Sequence, residues 1–222
     1  MASLFTPLSL RGVTFSNRVW VSPMCQYSSD DGMPNDWHLV HLGGRAVGGA
    51  GLVMVEASAV TPEGRITDWD SGIWSPAHAD AFRPIVDFIH RQGSVAGIQL
   101  AHAGRKASTE VPWRGGHVIV EGPHSWTTLA PSAIPFRHGG PAPHAMTLAE
   151  IDALVADFAR STDLALDCRL SRDRAARGAR IPPARVPLAA LERARRRVRR
   201  LPREPHAADA ARGRSGARGT AG

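Results

Sequence analysis

The sequence predicts an α/β fold in which parallel strands alternate with helices. Short, apolar, β-branched runs alternate with amphipathic helical patterns along the first 167 residues. Two of those runs, RVWVSPMCQY at Arg18–Tyr27 and GIQLAHAGRK at Gly97–Lys106, stop abruptly at polar and reactive side chains. A parallel β/α barrel presents its chemistry in this way, because its active residues sit at the C-terminal ends of several strands.

Residues 4–16 read as two short alternating segments joined by Arg11-Gly12, which predicts a small hairpin. Val19 to Pro23 is a buried strand candidate. Asn35 or Asp36 can cap a helix from Trp37 to about Val47, ended by Gly48 and Gly49. Gly51 to Val60 forms a second buried strand. Residues 77–92 form a helix with Ala81, Ile85, Phe88 and Ile89 on one face, stopped by Gly93. Val95 to Ala101 is a third strand, followed by a Gly-, Pro- and Trp-rich loop over 102–146. Thr147 and Glu150, three apart, open a long helix with a capping-box pattern. A fourth strand is due after Asp167 and does not come.

Charge divides the chain at the same place. Residues 1–167 carry 11 Lys and Arg against 16 Asp and Glu, a net of −5, whereas residues 168–222 carry 16 Arg against 4 acids, a net of +12. Every Phe, Trp and Tyr precedes position 168. A segment this poor in aromatic and β-branched residues buries too little apolar area to offset its ordering entropy, so disorder is expected there. Two cysteines, Cys25 and Cys168, fall short of a disulfide framework. The N-terminus lacks a secretory pattern, and no run approaches a membrane span. A cytoplasmic protein with no membrane partner is expected.

Several residues invite a chemical reading beside a plainer one. Cys25 ends a strand, as a small buried hydrophobe or as a working thiol. Tyr27 alternates with Cys25, so extended backbone would point both the same way. Gln99 lies within an apolar strand, where a buried amide needs a partner, from neighbouring backbone or from a ligand's polar edge. His102, Arg105 and Lys106 form either an anion site or a solvated loop. His38 and His41, three apart on a helix, lack a further metal ligand and read as packing and surface histidines. The GGRAVGGAG segment runs from helix to strand, the reverse of a dinucleotide fingerprint, and is rejected as one.

The strings LFTPLSL, NRVWVSPMCQYSSDDGMPNDWH, GLVMVEASAVTPEGRI, GIWS, GIQLAHAGRKAS and LAPSAIPF, in this order, closely resemble the N-terminal part of the Old Yellow Enzyme family of FMN-dependent ene-reductases. The resemblance is nearest to its xenobiotic reductase and bacterial NADPH dehydrogenase branch. It implies a (β/α)8 TIM barrel of which residues 1–167 supply only the first three or so β/α units, with FMN across the C-terminal mouth. It further implies that Ser22, Pro23, Met24, Cys25 and Ala57 meet the flavin ring, that Gln99 bonds its pyrimidine edge, and that Cys25 tunes the flavin. Tyr27 would line the substrate pocket. The implied reaction carries a hydride from NADPH or NADH through flavin to a small α,β-unsaturated substrate, with no nucleic-acid partner. A homo-oligomer of the intact form is compatible with it. The 102–146 loop, with Trp113 and Trp126, is expected to shape the substrate side.

The family pattern breaks after the last helix. A strand ending in a motif like HAAHGY should follow, supplying two histidines for the substrate and a tyrosine. That motif, an arginine beside the flavin and the phosphate site built after strands seven and eight are all absent from residues 168–222. A reading frame moved forward by one nucleotide accounts for this. Junctions Ala176–Arg177 and Ala179–Arg180 then permit His, those between them Ala and Ala, Arg180–Ile181 Gly and Ile181–Pro182 Tyr, spelling HAAHGY. Pro182 to Arg193 permit LLHEFLSPLSN, and Arg193 to Leu201 permit ERDDEYGG. The expectation is an out-of-frame tail at 168–222 and a chain that aggregates or is degraded and lacks ene-reductase activity. Two other readings differ in class. A basic arm engaging nucleic acid or anionic membrane requires salt-dependent binding that is lost with residues 168–222. A half-barrel completed by a second copy would still lack the histidine pair.

Overall fold

The computed structural model describes residues 3–170 of the 222-residue chain. The chain opens with the expected hairpin, β1 (Leu8–Leu10) paired antiparallel with β2 (Val13–Phe15), and Arg11 and Gly12 in its turn take positive φ. Three parallel strands follow in chain order across one sheet: β3 (Trp20–Val21), β4 (Leu52–Ala59) and β5 (Val95–Ala101). The β3 strand is shorter than the Val19–Pro23 run, because Pro23 offers no N–H to a ladder. Asn17 fixes the entry to β3 and β4 together. Its side chain donates to Gly49 O at 2.7 Å and accepts from Val19 N at 2.9 Å and Gly51 N at 3.0 Å.

Helix α1 (Asp36–Val47) connects β3 to β4, and α2 (Pro76–Arg91) connects β4 to β5. Asn35 caps α1, accepting from Trp37 N. The sheet face turned toward the helices is sealed. Val53, Val55 and Ala96 pack there with Leu42 and Ala46 of α1 and with Phe82, Ile85, Val86 and Ile89 of α2. The expected α2 face is thus corrected in part. Ile85 and Ile89 are buried, but Phe82 and Val86 complete the face, while Ala81 and Phe88 are half-buried. Two successive βα turns press α1 on α2, and Gly43 of α1 lies so near the Phe88 ring that a Cβ would stand 2.9 Å from it.

After β5 the long loop carries two short strands, β6 (Leu129–Ala130) and β7 (His144–Ala145), paired parallel. Helix α3 (Leu148–Asp167) begins at Thr147, whose hydroxyl accepts from Glu150 N while the Glu150 carboxylate receives Thr147 N. This is the capping box the sequence predicts. Leu154 and Phe158 on α3 pack on Val60, and Ala165 joins the main core.

The opposite sheet face is only partly covered among the described residues, and Gln99 on it is exposed. Leu52, Met54, Ala57, Gly97, Gln99 and Ala101 lie on it, none of them buried. Parallel sheets are normally covered on both faces. Gly97 lets the Met54 side chain lie across β5, since a Cβ there would sit 2.4 Å from the Met54 sulfur and make that side chain shift. Phe82, fully buried between sheet and helices, tests the core: Phe82→Ala is expected to lower unfolding stability in urea by about 3–5 kcal/mol. Thr147→Ala, at the α3 cap, is expected to cost about 1 kcal/mol in the same measurement.

Candidate active site

The C-terminal ends of the three parallel strands bring the sequence-predicted residues together. Ala57 and Gln99 are register partners across β4 and β5. Val21 of β3 pairs with Val53, and the chain then runs on through Ser22, Pro23 and Met24 to Cys25, whose thiol lies near enough to the Ala57 backbone N–H to feel its dipole. Cys25, Ala57 and Gln99 therefore form a row across one mouth of the sheet. Ser22 and Met24 are exposed beside it. Gln99 is also exposed, correcting the expectation of a buried amide. Its strand is apolar because the alternate residues pack against helices, while Gln99 stands on the partly covered face. Its amide has no hydrogen-bond partner among the described residues.

Cys25 and Tyr27 do meet, but not through extended backbone. Tyr27 has φ +51°, in the left-handed region, which costs a non-glycine residue about 1–2 kcal/mol. The turn brings the phenol close to the Cys25 thiol, and the Trp113 ring meets Tyr27 edge-on at 5.6 Å. Burial pushes the thiol up to about 11, helped by the Asp70 and then the Glu56 carboxylate. Burial likewise raises Tyr27 to about 12, with Cys25, Asp70 and Glu56 adding to it. Both groups are thus protonated near neutrality. Cys25 is a neutral, polarisable thiol and Tyr27 a neutral hydroxyl donor; neither is an activated nucleophile.

Beneath this pair lies a polar cluster that sequence reasoning missed. The β4–β5 register slips between Val55 and Ala57, so Glu56 occupies a bulge and leaves the strand's in-and-out alternation. Its carboxylate, 3% exposed, accepts from the Gln26 backbone N–H, from Ser71 Oγ at 2.5 Å, and lies 3.1 Å from His38 Nε2. Ser29 Oγ closes the cluster, 3.0 Å from Ser71 Oγ. His38 is therefore a buried, bonded residue and not simply a packing one, while His41 is half-buried. The signal in the sequence was a single acid inside GLVMVEASAV. No group of three or more His, Cys, Asp or Glu is placed to hold a metal among the described residues.

The surrounding loops are held by Arg65, whose guanidinium lies 5.6 Å from both the Trp74 and Trp126 rings and 3.1 Å from the Asp68 carboxylate. Trp126 also donates to Glu63 O at 3.0 Å, so it anchors the loop, whereas Trp113 is the loop residue at the mouth. Arg105 donates to Ser132 Oγ at 3.1 Å, and the Lys106 ammonium sits 4.9 Å from the Phe136 ring. These cations engage their own loop. The His102 ring accepts from Gly104 N, and burial lowers its pKa. The HAAHGY junctions and the basic arm lie outside the described residues.

Asp70 gives the site a pH signature. Its carboxylate accepts from Ile66 N at 2.7 Å and Thr67 Oγ1 at 2.8 Å, yet burial outweighs these bonds and raises it from 3.8 to about 6. The folded protein then holds a proton that the unfolded chain has released, so this contribution is full below pH 3.8 and lost as pH rises through about 6. The difference in unfolding stability between wild type and Asp70→Asn, measured in urea, is expected to change across that window and stay flat above it.

Comparison with known proteins bears on this geometry. A family model described as the NADH:flavin oxidoreductase / NADH oxidase family matches residues 3–171. The NADPH dehydrogenase of Bacillus licheniformis is 47% identical over 164 residues, covering 73% of this chain and 44% of the relative. That of Geobacillus thermodenitrificans is 45% identical over 157 residues, covering 70% and 42%. Among solved structures, morphinone reductase is 27% identical with TM-score 0.60 over 74% of this chain and 45% of its own. An old yellow enzyme homologue from Zymomonas mobilis is 28% identical with TM-score 0.61 over 75% and 46%. The chain spans less than half the length of these relatives. The three parallel strands of the described residues correspond to the beginning of their β/α barrel. With the match running from β1 through α3, the chain belongs to the NADH:flavin oxidoreductase / NADH oxidase family, as an N-terminal portion of the Old Yellow Enzyme type.

Proposed function

We propose that residues 3–170 supply the flavin-facing part of an FMN-dependent NAD(P)H oxidoreductase that reduces activated, α,β-unsaturated compounds. The observation that carries this reading is the row Cys25–Ala57–Gln99 across one sheet end, with an unpartnered amide at its edge. The residues fit a planar heteroaromatic group. Ala57 leaves room for a ring, the backbone of Ser22 to Cys25 offers polar atoms along it, and the Gln99 amide provides both a donor and an acceptor for a pyrimidine edge. When bound, FMN supplies the hydride relay between nicotinamide and substrate.

The chain's own residues would then orient and tune. Cys25, held neutral by burial and by the Asp70 and Glu56 carboxylates, would place a soft sulfur beside the ring without adding negative charge. Tyr27, flanked by Trp113, would line the substrate side with a neutral hydroxyl. The relatives' NADPH dehydrogenase names and the morphinone reductase complex with tetrahydroNAD support a nicotinamide as reductant. Gln99→Ala is expected to weaken FMN binding about tenfold, for the loss of about 1–1.5 kcal/mol of hydrogen bonding. Quenching of flavin fluorescence measures this, and equal affinity in the two proteins contradicts the assignment.

The domain division and the altered frame belong to the same proposal. Residues 168–222 as written lack the histidine pair and the tyrosine of the family's HAAHGY-like motif, and we infer that this chain does not itself reduce alkenes. Sequencing of the gene across codons 160–222 in all three frames tests the altered frame. A one-nucleotide shift that continues into family sequence supports it, and the absence of such a frame overturns it. Purified chain carrying stoichiometric FMN and reducing an alkene would overturn the inactivity.

A further inference from the structure

Beyond the charge that Glu56 sets against the Cys25 thiol, the buried cluster around it has no part in the flavin reading, and its geometry bears on how the mouth is built. Ser29, His38, Glu56 and Ser71 are each 3% exposed or less. Serine, histidine and a carboxylate together suggest a hydrolytic triad, but the arrangement excludes one. Both serine hydroxyls and the carboxylate converge on the same histidine nitrogen, Nε2, at 3.1 to 3.4 Å, leaving no relay from one side of the ring to the other. A nucleophile so enclosed would also have no route to a substrate. His38 Nδ1 leaves the cluster toward Asn35 at the start of α1, and the contact that leads toward the mouth is the one from Glu56 to the Gln26 backbone N–H.

Gln26 stands between Cys25 and Tyr27 and is held from every side. Its side chain donates to Met24 O at 2.8 Å and accepts from Trp37 Nε1 at 3.2 Å, while its amide N–H goes to Glu56. The next residue, Tyr27, is the one in the left-handed region. A tyrosine keeps that conformation only where its surroundings over-determine it. We propose that Glu56 is a positioning residue: through the Gln26 amide it holds the turn that sets the Cys25 thiol against the Tyr27 phenol, with Ser71 and His38 fixing the carboxylate. The bulge is what makes this possible, because it removes Glu56 from the strand's alternation without disturbing the Ala57–Gln99 pair. The catalytic meaning of the position rests on the flavin reading; the positioning itself does not.

Alkylation of Cys25 tests the proposal on the full chain. Iodoacetamide is applied from about pH 7 to 11, spanning ordinary and raised thiol values, and the Cys25 peptide is quantified by mass so that Cys168 does not contribute. The groups facing the thiol are the Asp70 and Glu56 carboxylates and the Tyr27 phenol, with His38 and His41 behind Glu56. Glu56→Gln keeps the side chain's shape and removes its charge. It is expected to shift the alkylation midpoint downward and raise the rate near pH 8 at least about threefold, since one like charge no longer opposes the thiolate. Ser71→Ala leaves the charge and loosens the anchor, so it is expected to raise the rate by one factor at all pH values without moving the midpoint. An unchanged rate in Ser71→Ala overturns the proposal, whether or not Glu56→Gln folds by circular dichroism; a wild-type profile in a folded Glu56→Gln overturns it as well, since the carboxylate would then not stand beside the turn it is said to hold. The flavin reading fails separately: FMN that never shields wild-type Cys25 removes that reading and leaves the anchor standing.

Discussion

A carboxylate sealed inside the protein must be met by donors or it destabilises the fold, and at Glu56 the donors come from three separate segments. The Gln26 amide lies after β3, His38 on α1, and Ser71 on the segment that rejoins β4 through the Ser71 O to Ala59 N bond. Each hydrogen bond to a charged group contributes about 1.5–3 kcal/mol, and an unmet one costs more than the bond is worth. The mouth of the sheet thus takes its shape from a requirement internal to β4. Shift Glu56 back into the strand's alternation, and the turn at Tyr27, the Ala57–Gln99 register and the course of the 28–30 segment all lose their common support.

A second constraint is the sheet's partly covered face. Helices α1 and α2 satisfy one side of β4 and β5, while on the other Leu52 and Met54 are only half-buried and Gln99 is exposed. In a closed barrel such residues would form the packed interior and the cofactor floor. The same alternation therefore explains why the helix-facing side of β4 reads as a hydrophobic core and why an amide is placed on β5. Gln99 looked anomalous only when the strand was taken to be apolar on both faces.

The fold was largely legible in the residues because its signals are local. The Asn35 cap, the Thr147–Glu150 box, Gly93 after α2 and the β-branched runs of β4 and β5 each act within a few positions, and each element formed where these residues put it. The site was legible in part. Cys25 and Gln99 were reachable because strand ends in parallel sheets converge, while Ala57 and the roles of all three came from the resemblance of whole strings to a family. Tyr27's left-handed turn and the Glu56 bulge were not reachable, since both depend on a register slip that no periodicity announces. Asp70 and Ser71 were missed for a related reason: they sit in a loop, and only its return alongside β4 brings them near Cys25. Phe82 and Val86 were passed over in favour of Ala81 and Phe88, a rotation of the α2 face that neighbours, not propensity, decide.

The most direct test of the account is a protection experiment on the purified chain. Cys25 alkylation is followed at increasing FMN up to saturation of any flavin fluorescence change, in wild type and in Gln99→Ala. The account predicts that FMN slows alkylation of Cys25, and that Gln99→Ala requires a higher FMN concentration for the same protection, because both residues face one ring. Alkylation of Cys25 that is indifferent to FMN in both proteins would contradict the claim that this strand-end row is a flavin floor.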